Sequence, residues 1–230
     1  WFNIYGGLMP VSINGQTGII TGVSVGGLPD SIVDTDMLAA NAVSAAKLAS
    51  GVGGKILQVK TNTTRDSKGS LSLSSQNSVF DIPNLNVSIT PSSSSSKMLV
   101  SFHIMGENSA DDASLFFVVR RAISGGTSSL IRGTSTNNRT AILTQATLVY
   151  YSSDTDSTPS FAQCSNYLDE PNTSNAITYA VQVGNNETTS TYYYNRTGNQ
   201  TNASTREVGL SWITVMEVAA WQERLSLMQH

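Results

Sequence analysis

Short runs of alternating apolar and polar residues, separated by turn-forming residues, make up most of the chain from Lys55 onward. The run Met98–Met105 alternates residue by residue, as expected of a strand with one buried face. Gly125-Gly126 and Gly184-Asn185 mark turns between such runs. The segments predicted as strands are Ile56–Lys60, Ser70–Ser74, Ser78–Ile82, Asn86–Thr90, Met98–Met105, Leu115–Ile123, Ser129–Arg132, Ala141–Tyr151, Phe161–Tyr167, Ala176–Val183, Thr188–Tyr194 and Val208–Val218.

The arrangement of these runs predicts the fold class. Because no helical segments alternate with the strands, an antiparallel arrangement is favoured, and strands at this spacing are typical of sandwiches and jelly rolls. The Ser92–Ser96 run lies between two strand candidates and is interpreted as a loop within the domain, not as a linker. We therefore expect residues 55–219 to form a mainly β, antiparallel, jelly-roll-like β-sandwich, followed by a C-terminal tail over residues 220–230.

Residues 1–30 combine an apolar and aromatic start with a stretch punctuated by glycines. Asn14-Gly15 is a turn signal, and Gly18–Gly27 fits short extended segments joined by tight turns. Segments this short bury little surface by themselves. They are therefore predicted to form an attachment segment that packs against neighbouring chains or another protein.

Residues 31–54 contain an internal repeat, in which Ser31–Ala40 aligns with Asn41–Ser50. One interpretation is an extended step into a short helical turn in each repeat. The other is a single Ala-rich helix from about Thr35 to Ala49, closed by Gly51. In both interpretations Gly51–Gly54 forms a hinge into the next region. Either way, a narrow apolar stripe has too little surrounding sequence to cover it, which implicates another chain. The stripe consists of Val33, Leu38, Val43 and Leu48.

Composition narrows the classes of partner. Only 13% of the residues are charged and the net charge is −3, so the chain lacks the basic footprint of a nucleic-acid-binding protein. Cys164 is the only cysteine, which excludes an intrachain disulfide and favours folding in a reducing cytoplasm. No apolar run approaches the roughly 18 residues that a membrane span needs. A secreted β-sandwich is the alternative interpretation, and glycosylation sequons are ascribed to the abundance of Asn, Ser and Thr.

The sequence offers little catalytic chemistry. The histidines are His103, inside a predicted strand, and His230, the last residue. A catalytic triad or a His-based metal site would have to use His103, which is interpreted as a strand residue, and Cys164 as a small buried side chain. The acidic pairs Asp111-Asp112 and Asp154 with Asp156 could cleave sugars or bind Ca²⁺, but solvated loop positions are favoured because the calcium-loop pattern is incomplete. We expect no enzymatic activity, no cofactor and no metal.

Several motifs together carry a resemblance. They are Asp36–Val59 (with Ala45-Ala46-Lys47-Leu48-Ala49-Ser50-Gly51-Val52-Gly53-Gly54-Lys55-Ile56-Leu57-Gln58), Ile89-Thr90-Pro91, Ser95–Val100, Tyr167–Pro171, Tyr179–Val183 and Ile213–Val218. This array resembles structural and tail fibre proteins of phages that infect marine cyanobacteria. The resemblance covers about residues 31–219 and carries no catalytic residues. It implies a homotrimeric appendage with an elongated N-terminal stalk and a β-rich knob.

These expectations combine into a functional hypothesis. The chain is predicted to be a virion structural protein, assembled in the host cytoplasm as a homotrimeric fibre that attaches to the host surface. The apolar stripe would lie about the threefold axis, and residues 1–30 would bind other virion proteins. The alternative is a capsid or head fibre, a decoration protein or a tail adaptor with a purely structural role.

A cluster of aromatic and amide side chains is the candidate receptor contact, to a host-surface glycan. Stacking on aromatic rings and neutral hydrogen bonds suit sugars. The other interpretation places these tyrosines within a sheet or a subunit contact. The cluster is Tyr192, Tyr193, Tyr194 and Asn195.

Overall fold

The computed structural model describes residues 12–14, 19–21, 55–110, 114–146, 159–186, 189–201, 204 and 206–220. The chain divides into two units, Trp1–Gly53 and Gly54–His230. In the first unit, β1 (Ser12–Asn14) and β2 (Ile19–Thr21) form an antiparallel pair with Ile13 opposite Ile20. The helix and apolar stripe predicted within residues 31–54, and the tail after Ala220, lie outside the described residues.

The described part of the second unit consists of strands and loops without a helix, and so includes no helix that could cross a membrane. All the strand pairings are antiparallel, which confirms the predicted mainly β, antiparallel fold. The strands are β3 (Ile56–Thr63), β4 (Gly69–Leu73), β5 (Val79–Ile89), β6 (Lys97–Asn108), β7 (Leu115–Ile123), β8 (Ser128–Ile131), β9 (Thr144–Gln145), β10 (Ser160–Asp169), β11 (Ile177–Asn185), β12 (Ser190–Tyr194) and β13 (Trp212–Val218).

The larger sheet is arranged around β6. On one edge, β6 pairs first with β13 and then with β12; on the other edge it pairs with β10. The far edges of β13 and β12 pair with β3 and β4, respectively. The strands β3 and β4 therefore lie end to end in one row of the sheet, and β13 and β12 lie end to end in the next row. A loop separates the two strands of each row. The order across the sheet is β3 with β4, β13 with β12, β6 and β10.

The smaller sheet has β11 and β7 at its centre. One edge of β11 pairs with β5, and the other pairs along the whole length of β7. The far edge of β7 pairs with β8 over Val119–Ala122 and with β9 at Phe116 and Phe117. The order across this sheet is therefore β5, β11, β7, and β8 with β9.

The core lies between the two sheets. Burial alternates with period two along β6 and β13, so one face of each strand is covered and the other is turned outward. Phe117 of the smaller sheet meets Tyr192 of the larger sheet edge-to-face, with ring centroids 5.8 Å apart. Each large apolar side chain buried here contributes about 1.5–3 kcal/mol. Fully buried members include Met98, Val100, Phe102, Ile104, Val119, Ile177, Val181, Val183, Ile213 and Val215.

A buried ion pair also joins the sheets. Asp169 of β10 accepts a 2.6 Å hydrogen bond from Arg121 of β7 and a 2.7 Å hydrogen bond from the Tyr179 hydroxyl of β11. Burial, with the adjacent Asp169, raises the pKa of Tyr179, so its phenol remains a hydrogen-bond donor. Both Asp169 and Tyr179 belong to motifs that carry the resemblance to fibre proteins.

Three differences from the predicted strand boundaries are the largest; at the other strands the ends shift by at most three residues. The segments Ser78–Ile82 and Asn86–Thr90 form a single strand, because a register shift opposite β11 accommodates Pro83 and the left-handed Asn84 at the sheet edge. Of the segment predicted from Ala141, only Thr144–Gln145 is a strand within the described residues. The last strand begins at Trp212, because the preceding residues form a loop.

Candidate ligand-binding cleft

The predicted receptor contact, Tyr192 to Asn195, lies at the end of β12. Tyr192 and Asn195 are each 1% exposed, and Tyr194 is also buried. Burial raises the pKa of Tyr192, as expected for a phenol within the core. These three side chains therefore offer little surface to a ligand, and the tyrosines lie within a sheet, as in the alternative interpretation.

Tyr193 is the member of that set with substantial exposed surface. The Arg196 guanidinium lies over its ring, 4.6 Å from the centroid, in a cation–π contact. Arg196 is itself buried and donates hydrogen bonds to the carbonyl oxygens of Thr197 and Gly198, at 2.8 and 3.1 Å. One ring face of Tyr193 is thus occupied by its own chain, which makes it a poor platform for a ligand.

Asn195 connects the two interrupted rows of the larger sheet. Its side-chain Nδ2 donates to the Thr64 carbonyl oxygen, the Thr64 hydroxyl and the Ser67 carbonyl oxygen, at 3.1, 2.7 and 2.6 Å. Its Oδ1 accepts a hydrogen bond from the Ser211 hydroxyl, and its backbone N–H donates to Met105 at 2.8 Å. The backbone φ of 58° is left-handed, a conformation that Asn tolerates better than most residues. This residue therefore has an architectural role.

The interruption between β3 and β4 opens a cleft of about 590 Å³. This volume lies within the range of small-molecule sites, about 300–1,000 Å³. The chain leaves the sheet after Thr63 and rejoins it at Gly69. From the other sheet, β5 contributes Asn84, which lies at the register shift between β5 and β11. The cleft is lined by Thr63, Thr64, Arg65, Asp66, Ser67 and Asn84.

The cleft presents uncommitted polar groups of both signs. Arg65 and Asp66 are exposed, and neither makes a hydrogen bond or ion pair with another residue in the described part of the chain. Asn84 donates from Nδ2 to the Ser67 hydroxyl at 3.1 Å, which leaves its Oδ1 directed to no described partner. A guanidinium, a carboxylate, a hydroxyl and an amide oxygen together can both donate and accept hydrogen bonds.

The walls of the cleft are held by hydrogen bonds across the fold. The Thr64 backbone N–H donates to the Ser211 carbonyl at 2.9 Å. The Asn62 side chain donates to the carbonyl oxygens of Asn84 and Asn86, both at 2.8 Å, and so ties β3 to β5. Because these bonds and those of Asn195 fix both sides, the cleft is formed before any ligand arrives.

A row of three near-parallel rings adjoins the cleft on the outward face of the larger sheet. His103 of β6 lies between Trp212 and Phe161, with ring centroids 6.3 and 5.8 Å away and interplanar angles of 23° and 28°. Burial lowers the pKa of His103, which favours its neutral form at pH 7. Trp212 pairs across the sheet with Thr63, a residue of the cleft lining, although Trp212 itself does not line the cleft.

An apolar strip crosses the same outward face further along the strands. Four directly paired residues, one from each row of the sheet, form it: Val59, Met216, Leu99 and Leu168. Val59 is 52% exposed and Leu168 43% exposed. Large exposed apolar surfaces of this kind are typical of contacts with other proteins.

The remaining candidates contribute no assembled site within the described residues. Burial raises the pKa of the Cys164 thiol, partly opposed by a backbone hydrogen bond from Tyr167, so the thiol is a weak nucleophile. The described residues contain no group of three or more His, Cys, Asp and Glu side chains that could hold a metal. Some of the candidate residues from the sequence lie outside the described part of the chain. They are the two acidic pairs, His230 and the stripe Val33, Leu38, Val43 and Leu48.

Comparisons with known proteins identify no family. No protein-family model matches the chain, and no curated protein matches it. Among solved structures, the chain is similar to the infectious bursal disease virus VP2 subviral particle, with 10% identity and a TM-score of 0.33. The match covers 71% of this chain and 38% of that one, so this chain spans well under half of the other's length. A similarity this low carries no argument about function.

Proposed function

We propose that the chain is a virion structural protein, a homotrimeric phage fibre whose β-sandwich attaches the particle to a glycan of the host surface. The observation that carries the proposal is the preformed polar cleft, one of whose lining residues, Thr63, pairs with Trp212 of the aromatic row. The resemblance of residues 31–219 to phage fibre proteins supports a place on the virion. The chain is proposed to bind without catalysis and without a cofactor.

We propose further that the sandwich is a jelly roll. When collinear strands are counted as one, the larger sheet has the order first, eighth, third, sixth, and the smaller sheet the order second, seventh, fourth, fifth. This order places consecutive strands alternately in the two sheets for most of the chain, as two Greek keys do. Jelly rolls occur in viral capsid proteins and in lectins, which suits a domain that belongs to a particle and binds sugar.

Trimer formation is proposed to use the stripe Val33, Leu38, Val43 and Leu48, with residues 1–30 bound to other virion proteins. Three copies of one weak site would attach the particle by avidity, so a single site need not be tight. Sedimentation equilibrium of the purified chain tests this arrangement. A trimer that becomes monomeric on replacement of Leu38 and Leu48 by Ser is the expected result, and a stable wild-type monomer would contradict it.

Host attachment is tested by adsorption. The purified chain is expected to bind host cells and to compete with phage attachment, without releasing saccharide from the envelope. Saccharide release that is abolished by replacing Asp154 or Asp156 would show an enzyme instead. Absence of adsorption would remove the attachment function.

The exposed apolar strip Val59–Met216–Leu99–Leu168 favours a second candidate. In this alternative the chain is a capsid or head fibre, a decoration protein or a tail adaptor, and the strip packs on another virion protein. Antibody labelling of intact particles in the electron microscope distinguishes the two. Label along the capsid or tail shaft, together with absent host adsorption, would support the structural role.

A further inference from the structure

We infer that the cleft lined by Arg65, Asp66 and Asn84 is the saccharide site, that its ligand is a neutral oligosaccharide, and that Trp212 supplies the stacking surface. The inference rests on the proposed attachment function and deepens it by naming the site and the chemical class of the ligand. It moves the sugar contact from the buried tyrosines of β12 to the segment between β3 and β4, which meets Asn84 of the smaller sheet.

Trp212 is connected to the cleft through its cross-strand partner. On the β6 side, the indole stacks with His103. On the other side lies β3, where the directly paired residue is Thr63, a small side chain that also lines the cleft. The C–H groups on the apolar side of a sugar ring carry partial positive charge and are attracted to the negative face of an aromatic ring. A saccharide that extends from the cleft past Thr63 would stack on Trp212.

The hydrogen-bonding groups of the cleft match sugar hydroxyls. Each hydroxyl donates one hydrogen bond and accepts others, so it can bridge a guanidinium donor and a carboxylate acceptor. Arg65 and Asp66 are sequence neighbours, both exposed, and neither is bonded to another described residue. Bonds to charged groups are stronger than neutral ones, which gives weakly binding sugars a directional contact.

The charge of the cleft argues for a neutral ligand. Its one guanidinium and one carboxylate cancel, so an anionic saccharide attracted by Arg65 would be repelled by Asp66. The nearby outward face adds little charge. His103 favours the neutral form, and Lys97 is paired with Glu170 at 2.6 Å. The exposed Lys68 follows Ser67 of the cleft lining, and the test below therefore includes an anionic probe.

The test uses the full chain and defined probes: neutral oligosaccharides derived from dextran, mannan and galactan, and an anionic oligosaccharide derived from alginate. Saturation-transfer NMR detects binding, and calorimetry measures the dissociation constant. At least one neutral probe is expected to bind, and the alginate probe is expected to bind more weakly. Arg65→Gln, Asp66→Asn and Trp212→Leu should each weaken neutral binding about tenfold, equivalent to about 1.4 kcal/mol.

The control is Arg132→Gln, because Arg132 is an equally exposed arginine in the loop after β8 of the other sheet. It should leave the dissociation constant unchanged. Thermal melting of every variant identifies loss of fold, and the two polar variants remain informative even if Trp212→Leu unfolds.

The outcomes separate the inference from the function on which it rests. If the chain adsorbs to host cells but binds no neutral probe, or if the cleft variants bind as well as wild type, the inference is overturned while attachment stands. If the chain neither adsorbs to cells nor binds any probe, both fail. Neutral binding that is lost in the cleft variants and retained in Arg132→Gln supports both.

Discussion

Replacement of Asn195 by Ala is expected to destabilise the domain more than any other single change to a polar side chain near the cleft. Asn195 sits where both interrupted rows of the larger sheet meet, and it is buried. Its side chain spans 131 residues of sequence to reach Thr64. Removing it weakens the link between the β3–β4 segment and the β12–β13 loop, which then depends on the hydrogen bonds from Thr64 to the Ser211 carbonyl.

The magnitude follows from the groups left behind. The Ser67 carbonyl oxygen loses its donor, and the Ser211 hydroxyl loses its acceptor while still accepting from the Met105 N–H at 3.0 Å; the Thr64 carbonyl keeps the Ser67 N–H at 3.1 Å. An unsatisfied buried polar group costs about 1–3 kcal/mol. The left-handed φ of 58° adds about 1 kcal/mol for Ala. We expect a loss of about 3–5 kcal/mol in the free energy of unfolding, combining both effects.

Two further variants separate the contributions. Asn195→Gly removes the same hydrogen bonds but tolerates the left-handed backbone, so it should be about 1 kcal/mol less destabilising than Asn195→Ala. Asn166 is the matched control, since its φ is 63° but its side chain is exposed and accepts only a 3.4 Å hydrogen bond from Ser101. Asn166→Ala should therefore lose only about 1 kcal/mol.

The measurement is equilibrium urea unfolding followed by far-ultraviolet circular dichroism. All variants are compared at one protein concentration, because oligomers make stability depend on concentration. Hydrogen exchange gives a local readout, since the Thr64 amide that bonds to Ser211 should exchange faster in Asn195→Ala. If Asn195→Ala were no less stable than Asn166→Ala, the architectural role assigned to Asn195 would be refuted.

Two other predictions concern stability. Burial of the Glu217 carboxylate raises its pKa, but hydrogen bonds from Ser92, Ser96 and Gln58 outweigh burial and lower the pKa below the ordinary 4.5. The stability that Glu217 contributes should therefore be complete above about pH 4.5 and lost as the pH falls through the folded-state pKa. Glu217→Gln should flatten the acid side of a stability–pH curve measured by urea unfolding. Gly106→Ala should destabilise by about 1–3 kcal/mol, because an added methyl would collide with the Tyr193 carbonyl oxygen and the Tyr192 ring. Gly133→Ala should be nearly neutral in the same assay, because the added methyl would lie 3.5 Å from its nearest neighbour, the Ile142 carbonyl oxygen.

The alternation of apolar and polar residues predicted most strands of the sandwich. It did so because alternation depends only on which side chains of one strand are buried, and the local sequence shows this. Met98–Met105 and Ile213–Val218 alternate in sequence, and in the structure their alternate residues are buried. The pattern failed at Pro83, where two predicted segments form one strand, because the partner strand accommodates the irregularity and the sequence of β5 alone does not show its partner. The same limitation applies to every feature that depends on pairing.

The tyrosines of β12 illustrate why the site was harder to predict than the fold. A tyrosine can pack its ring in a core or offer it to a ligand, so three in succession do not reveal which face of the strand is buried. Alternation does imply that Tyr192 and Tyr194 share a face, but assigning that face to the core requires the opposing sheet, where Phe117 lies.

The cleft depends on contacts that are still more distant in sequence. Thr63–Ser67 has the composition of an ordinary polar loop, and nothing local distinguishes Arg65 from other exposed arginines. Its position becomes informative only because Trp212 pairs with Thr63 and because Asn195 holds the loop in place. In this sandwich two collinear strand pairs are interrupted at the same level and bridged by one buried amide, and the cleft lies at that interruption. The interruption that weakens the sheet is thus also what creates a concave surface on it, and the strength of the Asn195 hydrogen bonds determines whether that surface keeps its shape without a ligand.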